Sequence, residues 1–193
     1  MIVALLLTTL AAPNTAVVDS TLPCSVIRSP FGSDRRSYKA LHRRVISTFG
    51  ADRQSYVRGH RHAGIDLRGR ASEEVRPICP GKVVDLHLDF PHRTIVIEHR
   101  DSGRIFYSSY KHVEAPRVEV GDVVTEETPI ARLFDEREKR GANFQVIHLH
   151  FEIRKSVEDG GTASWTSMTM GELTKYAEDP LKLFESTLAK RAR

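Results

Sequence analysis

Three places in the chain put side chains at spacings that suit chemistry: His62-Ala-Gly-Ile-Asp66, Tyr110-Lys-His112 and His148-Leu-His150. Imidazole nitrogens and a carboxylate oxygen are donors that zinc takes readily. Three protein ligands with the fourth position left to water is the catalytic form of such a site, and a fourth protein ligand makes it structural. One zinc ion held by a histidine, an aspartate and a second histidine keeps a net charge of about +1, enough to favour hydroxide over water. Histidine also titrates near pH ~6.5, so histidines beside the ion suit proton transfer close to neutrality.

Each pattern arises by chance on its own. Among nine histidines in 193 residues there is a second H-x-H, His60-Arg-His62. Context separates the two. His148 and His150 sit within the alternation Ile147, Leu149, Phe151, Ile153, which reads as a strand. Strand residues i and i+2 share a face about 7 Å apart, so both imidazoles look into one site while Leu149 and Phe151 face a core. His62 and Asp66 are harder to unite. In a straight strand positions i and i+4 are about 13 Å apart, too far for one ion with bonds of about 2 Å. Gly64, Gly69 and the β-branched Ile65 disfavour a helix. A shared ion therefore demands a bend near Ala63-Gly64, which Gly64 permits. His60 reads as a rim residue and His99 as structural. His42, His87 and His92 read as surface residues.

The elements that must carry these residues are mostly strands. Val75 to Ile78, Lys82 to Leu88, Thr94 to His99, Arg104 to Tyr110, Val118 to Val120, Val123-Val124, Pro129 to Phe134 and Val146 to Arg154 are strand-like. Pro80-Gly81, Asp101-Ser102-Gly103 and Gly121-Asp122 separate them as turns, the second giving a hairpin. The expected fold class is mainly β: an antiparallel β-sheet core domain with a groove, a short N-terminal extension and an irregular or helical C-terminal tail. Ser37 to Ile46 suggests a turn or two of helix. Residues 135–145 read as a polar loop and 156–174 as another.

Residues 1–20 read as a signal peptide, because the apolar run after Met1 is too short to span a bilayer and small residues follow it. Residues 21–48 then form the extension, 49–184 the β domain and 185–193 a basic tail. Export to the periplasm, cell envelope or exterior fits the two cysteines, Cys24 and Cys79, whose even count after a leader suggests one disulfide. No apolar run reaches 18 residues, so no transmembrane segment is expected. The net charge of +4 suits an anionic partner, but no nucleic-acid motif accompanies it and none is expected as partner.

Taken together, His62-Ala-Gly-Ile-Asp66, Pro80-Gly81-Lys-Val-Val, Ile95-Val-Ile-Glu-His99, Tyr110-Lys-His112, Val120-Gly121-Asp122-Val-Val and His148-Leu-His-Phe-Glu-Ile153 closely resemble the lysostaphin/LytM-type peptidases in order and relative position. Phe49-Gly50 and Asp179-Pro180-Leu181 look like flanking segments of that family, so the resemblance spans about residues 46–184. It implies one zinc ion held by His62, Asp66 and His150, with His112 and His148 as the catalytic histidines. It also implies a groove over the sheet, and hydrolysis of peptide crosslinks or crossbridges of peptidoglycan by a zinc metalloendopeptidase; separately, a monomer is expected. The alternative within the family is a non-catalytic module that binds peptidoglycan or activates an amidase. Two departures stand out. The family has a Gly/Ser/Thr-rich turn and a Pro before H-x-H, where this chain has Lys139-Arg-Gly-Ala-Asn-Phe-Gln-Val-Ile147 after a charged run. The insert at 155–178 is the second.

Overall fold

A computed structural model describes residues 23–32, 35–53, 58–157 and 169–188. The leader read over 1–20, the centre of the 155–178 insert and the end of the basic tail lie outside the described residues. In chain order the elements are α1 (Tyr38–His42), β1 (Val45–Ser47), β2 (Ile65–Arg68), β3 (Glu74–Val75), β4 (Gly81–His87), β5 (Thr94–Asp101), β6 (Arg104–Lys111) and β7 (Val113–Glu114). There follow β8 (Val123–Val124), β9 (Ala131–Leu133), α2 (Glu136–Gly141), β10 (His148–Arg154), α3 (Met170–Tyr176), β11 (Ala177–Glu178) and α4 (Pro180–Leu188).

The fold is mainly β with antiparallel pairing, as the turn-separated strand signals predict. The large sheet runs β1-β2-β10-β6-β5-β4-β8, with β11 joined to β10 beyond the end of β2, and β3-β9-β7 form a small second sheet. The β5–β6 hairpin closes on Ser102 (φ 47°) and Gly103 (φ 86°), with Asp101 opposite Arg104. Positive φ at both turn residues matches the twist of the flanking strands.

One face of the large sheet is apolar. Ile65 and Leu67 of β2, Leu149, Phe151 and Ile153 of β10, Tyr110 of β6, and Ile95 and Ile97 of β5 are all buried in one cluster. Phe184 of α4 meets Phe151 with ring centroids 5.6 Å apart. The N-terminal segment joins the same core through Cys24, Ile27, Phe31 and Leu41. Arg28 N–H donates to Ile78 O (2.7 Å) and Arg76 N–H to Pro30 O (2.8 Å), and Cys24 is disulfide-bonded to Cys79. Removing the bridge frees a loop of 55 residues in the unfolded chain, so Cys24→Ala/Cys79→Ala is expected to lower stability by about 4 kcal/mol. Urea unfolding of the oxidised wild type and the double variant measures it.

The expected turn of helix in 37–46 is α1, which stops at His42 because β-branched Val45 and Ile46 enter β1, where Val45 pairs with Leu67. Two local expectations change. Val118 to Val120 is not a strand; Val120 is exposed and the segment leads into the turn before β8. The polar segment 135–145 contains α2, which buries no residue and so has no apolar period to betray it.

Candidate metal centre

The other face of the large sheet is polar where β10 runs between β2 and β6. The register sets His150 directly opposite Asp66 on one side and Lys111 on the other. His62 lies just before β2 and is brought back by the bend at Ala63-Gly64. Its backbone is tied by Gly50 N–H to His62 O (2.8 Å) and His62 N–H to Ala51 O (2.9 Å). His62 Nε2 then stands 3.1 Å from Asp66 Oδ1 and 2.9 Å from His150 Nδ1, and the last two atoms are 3.0 Å apart. A tetrahedral zinc with bonds of about 2.0–2.1 Å has ligand-to-ligand edges of about 3.3 Å, so this near-equilateral triangle of buried donors fits the ion.

The outward atoms of the triangle are all engaged. His62 Nδ1–H donates to Thr48 O (2.8 Å) and His150 Nε2–H to Glu152 Oε1 (2.7 Å). These bonds select the tautomers that aim His62 Nε2 and His150 Nδ1 inward. Arg53 donates to Asp66 Oδ2 (2.8 Å) and to Ser47 Oγ (2.8 Å), which leaves Oδ1 for a cation. Burial opposes ionisation of Asp66, but its polar contacts with His150 and His62 outweigh it and hold the carboxyl well below the usual range. Burial likewise pulls His150 down, while its bonds to Asp66 and Glu152 carry it up to about 9. Burial lowers His62.

His148 and His112 stand beside the triangle. His148 shares the face of β10 with His150, and its Nδ1–H donates to Val146 O (2.9 Å). His112 is the residue on which the chain leaves β6 for β7, with φ 66°, and its Nδ1–H donates to Pro91 O (3.0 Å). In both rings Nε2 is left as an acceptor. The His112 ring centroid is 5.0 Å from that of His148 and 6.2 Å from that of His150. Burial, and then the neighbouring His148 and His150, keep His112 well below the ordinary histidine pKa, so its imidazole is neutral at pH 7.

All five residues singled out from the sequence thus meet in one place. His60 is not part of the triangle, and His99 is buried in the sheet with Nε2 2.6 Å from Ser108 Oγ. His42 is exposed and His87 half-buried. His92, read as a surface residue, is half-buried with its ring 5.5 Å from His112, and burial pushes it down to about 4. Its position depends on the β4–β5 connection folding back over β6, which no local pattern encodes. The residues missed were Glu152, Arg53 and Phe144. Glu152 was within reach of strand alternation, two residues beyond His150; Arg53 and Phe144 carry no such signal.

Gly64 lets β10 pack closely against the bend. A Cβ there would overlap the carbonyl oxygen of Phe151 and crowd Glu152 Cγ (2.9 Å), both on β10. Gly64→Ala must push β2 off β10 at the candidate metal ligands. It is expected to destabilise the fold by about 1–3 kcal/mol and to weaken zinc binding, read by thermal unfolding and zinc titration of the same sample.

A buried His–Asp–His triangle on an antiparallel sheet, with two further histidines alongside, is the centre of a metallopeptidase-type domain. The chain belongs to Peptidase family M23, which matches residues 60–163 and so includes all five residues. No curated protein matches it by sequence. Among solved structures, LytU is 28% identical with a TM-score of 0.51, covering 71% of this chain and 81% of LytU. Lysostaphin in solution is 21% identical with a TM-score of 0.55, covering 81% of this chain but 56% of lysostaphin. The catalytic domain of lysostaphin from Staphylococcus simulans is 20% identical with a TM-score of 0.55, covering 77% of this chain and 98% of that domain.

Proposed function

We propose that this chain is a zinc endopeptidase that hydrolyses peptide crosslinks or crossbridges of bacterial peptidoglycan outside the cytoplasm. The observation that carries this reading is the triangle of His62, Asp66 and His150, with the Nε2 atoms of His112 and His148 left as acceptors beside it. A zinc ion bound there would acidify water and polarise the scissile carbonyl. His112, held neutral by burial, accepts a hydrogen bond from the attacking water and orients it. His148 takes the water's proton as the oxygen joins the carbonyl carbon, then delivers it to the nitrogen as the C–N bond breaks. Asp66 and the outer bonds of Glu152 and Thr48 keep the ligand atoms in place. The Cys24–Cys79 bridge supports an extracytoplasmic location.

The test is digestion of purified bacterial cell walls, followed by assay of new amines and mass analysis of the released peptides. Amine release that stops on chelation and returns with zinc is expected. Walls that bind the protein yet release no amine would overturn the reading in favour of a non-catalytic binding module.

A further inference from the structure

The charged run before H-x-H builds a defined support. Asp135 caps α2 by accepting from the N–H groups of Arg137 (2.8 Å) and Glu138 (2.7 Å), and Glu138 accepts in return from Asp135 N–H (2.9 Å). Arg132 of β9 clamps Glu138 with two bonds of 2.7 and 2.8 Å, fixing α2 to the small sheet. After α2 the chain turns through Asn143 (φ 57°), and Phe144 N–H donates to Lys139 O (3.1 Å). This sets the Phe144 ring edge-on to His112, with centroids 4.7 Å apart, and 5.3 Å from His148. Behind it Phe134, buried, stacks nearly parallel at 5.7 Å and itself stacks on Phe90 at 5.6 Å. Phe90 is 42% exposed. An aromatic strip therefore leads from the two non-ligand histidines to the surface.

We infer that Phe144, presented by α2, is a specificity-determining residue. It walls the subsite beside His112 and His148 and makes that subsite prefer an alanine-type residue over glycine. This inference rests on the endopeptidase reading above. The strip carries an apolar ring next to the reacting groups, and a substrate methyl laid against it leaves water. Burial of one methyl favours alanine by about fourfold, and glycine has nothing to offer the ring. The wall exists because a capped, clamped helix fixes the turn that carries Phe144.

The experiment compares kcat/KM for an alanine-crosslinked peptide and an oligoglycine peptide of equal length, with wild type, Phe144→Ala and Phe144→Leu, each checked for zinc content. Wild type is expected to favour alanine by about fourfold or more. Phe144→Ala should erase that preference, bringing the ratio of kcat/KM for the two peptides to about one whatever its absolute rate, and Phe144→Leu should restore part of it. A wild type that cuts either peptide while both variants keep its preference overturns the inference and leaves the endopeptidase reading standing. If wild type cuts neither, that reading falls, and calorimetric binding of the same two peptides decides the wall. An alanine preference in binding that Phe144→Ala abolishes upholds it, and equal affinities in wild type overturn it.

Discussion

Replacing His148 by alanine is expected to leave zinc bound and to lower turnover by about 10²–10⁴-fold, the usual contribution of a positioned general acid–base group. The separation of the two effects follows from geometry. His148 is not a corner of the donor triangle, and its ring Nδ1–H donates to the carbonyl of Val146. Its backbone is held by β10 pairing, with His148 opposite Arg68, and by the buried Leu149 next to it. Truncating the ring therefore removes the Nε2 acceptor without moving His150. Zinc content by atomic absorption, together with steady-state release of amines from cell walls, reads both effects on one sample. Loss of zinc along with activity would place His148 among the ligands instead. Unchanged turnover would pass the base role to His112.

Asp66→Ala is expected to have the larger effect on the metal. It removes the one carboxylate of the triangle and leaves two imidazole nitrogens 2.9 Å apart, facing the Arg53 guanidinium that Asp66 now neutralises. Losing an outer-sphere partner costs up to about 100-fold in metal affinity, so losing this ligand is expected to cost more than about 100-fold. Hydrolysis should vanish with the ion. Competition against a chromogenic chelator measures the affinity, and excess zinc should restore only a trace of activity. Full affinity in the variant would mean the ion is held elsewhere.

Much of the site was legible because strand alternation is a local property. Period-two patterning in β10 assigns Leu149, Phe151 and Ile153 to the core and His148 and His150 to the opposite face, and the register confirms that division. The bend at Ala63-Gly64 was legible as a requirement, because four residues of straight strand cannot bring two ligands to one ion. α2 was not legible, since a helix held by a capping box and an Arg–Glu clamp needs no apolar face. The cysteine count suggested a bridge. Only packing set the Cα atoms 5.3 Å apart.

Residue type and a two-residue repeat suffice to say which side chains could serve an ion, which strand face each H-x-H residue takes and that the domain is mainly antiparallel β. Tertiary structure alone decided that His62, Asp66 and His150 close to about 3 Å. It also decided that Phe144 lies against His112, and that Glu152 and Thr48 set the tautomers. Those contacts join residues up to 88 positions apart, and no local preference specifies a distance between segments that meet only when the sheet is assembled.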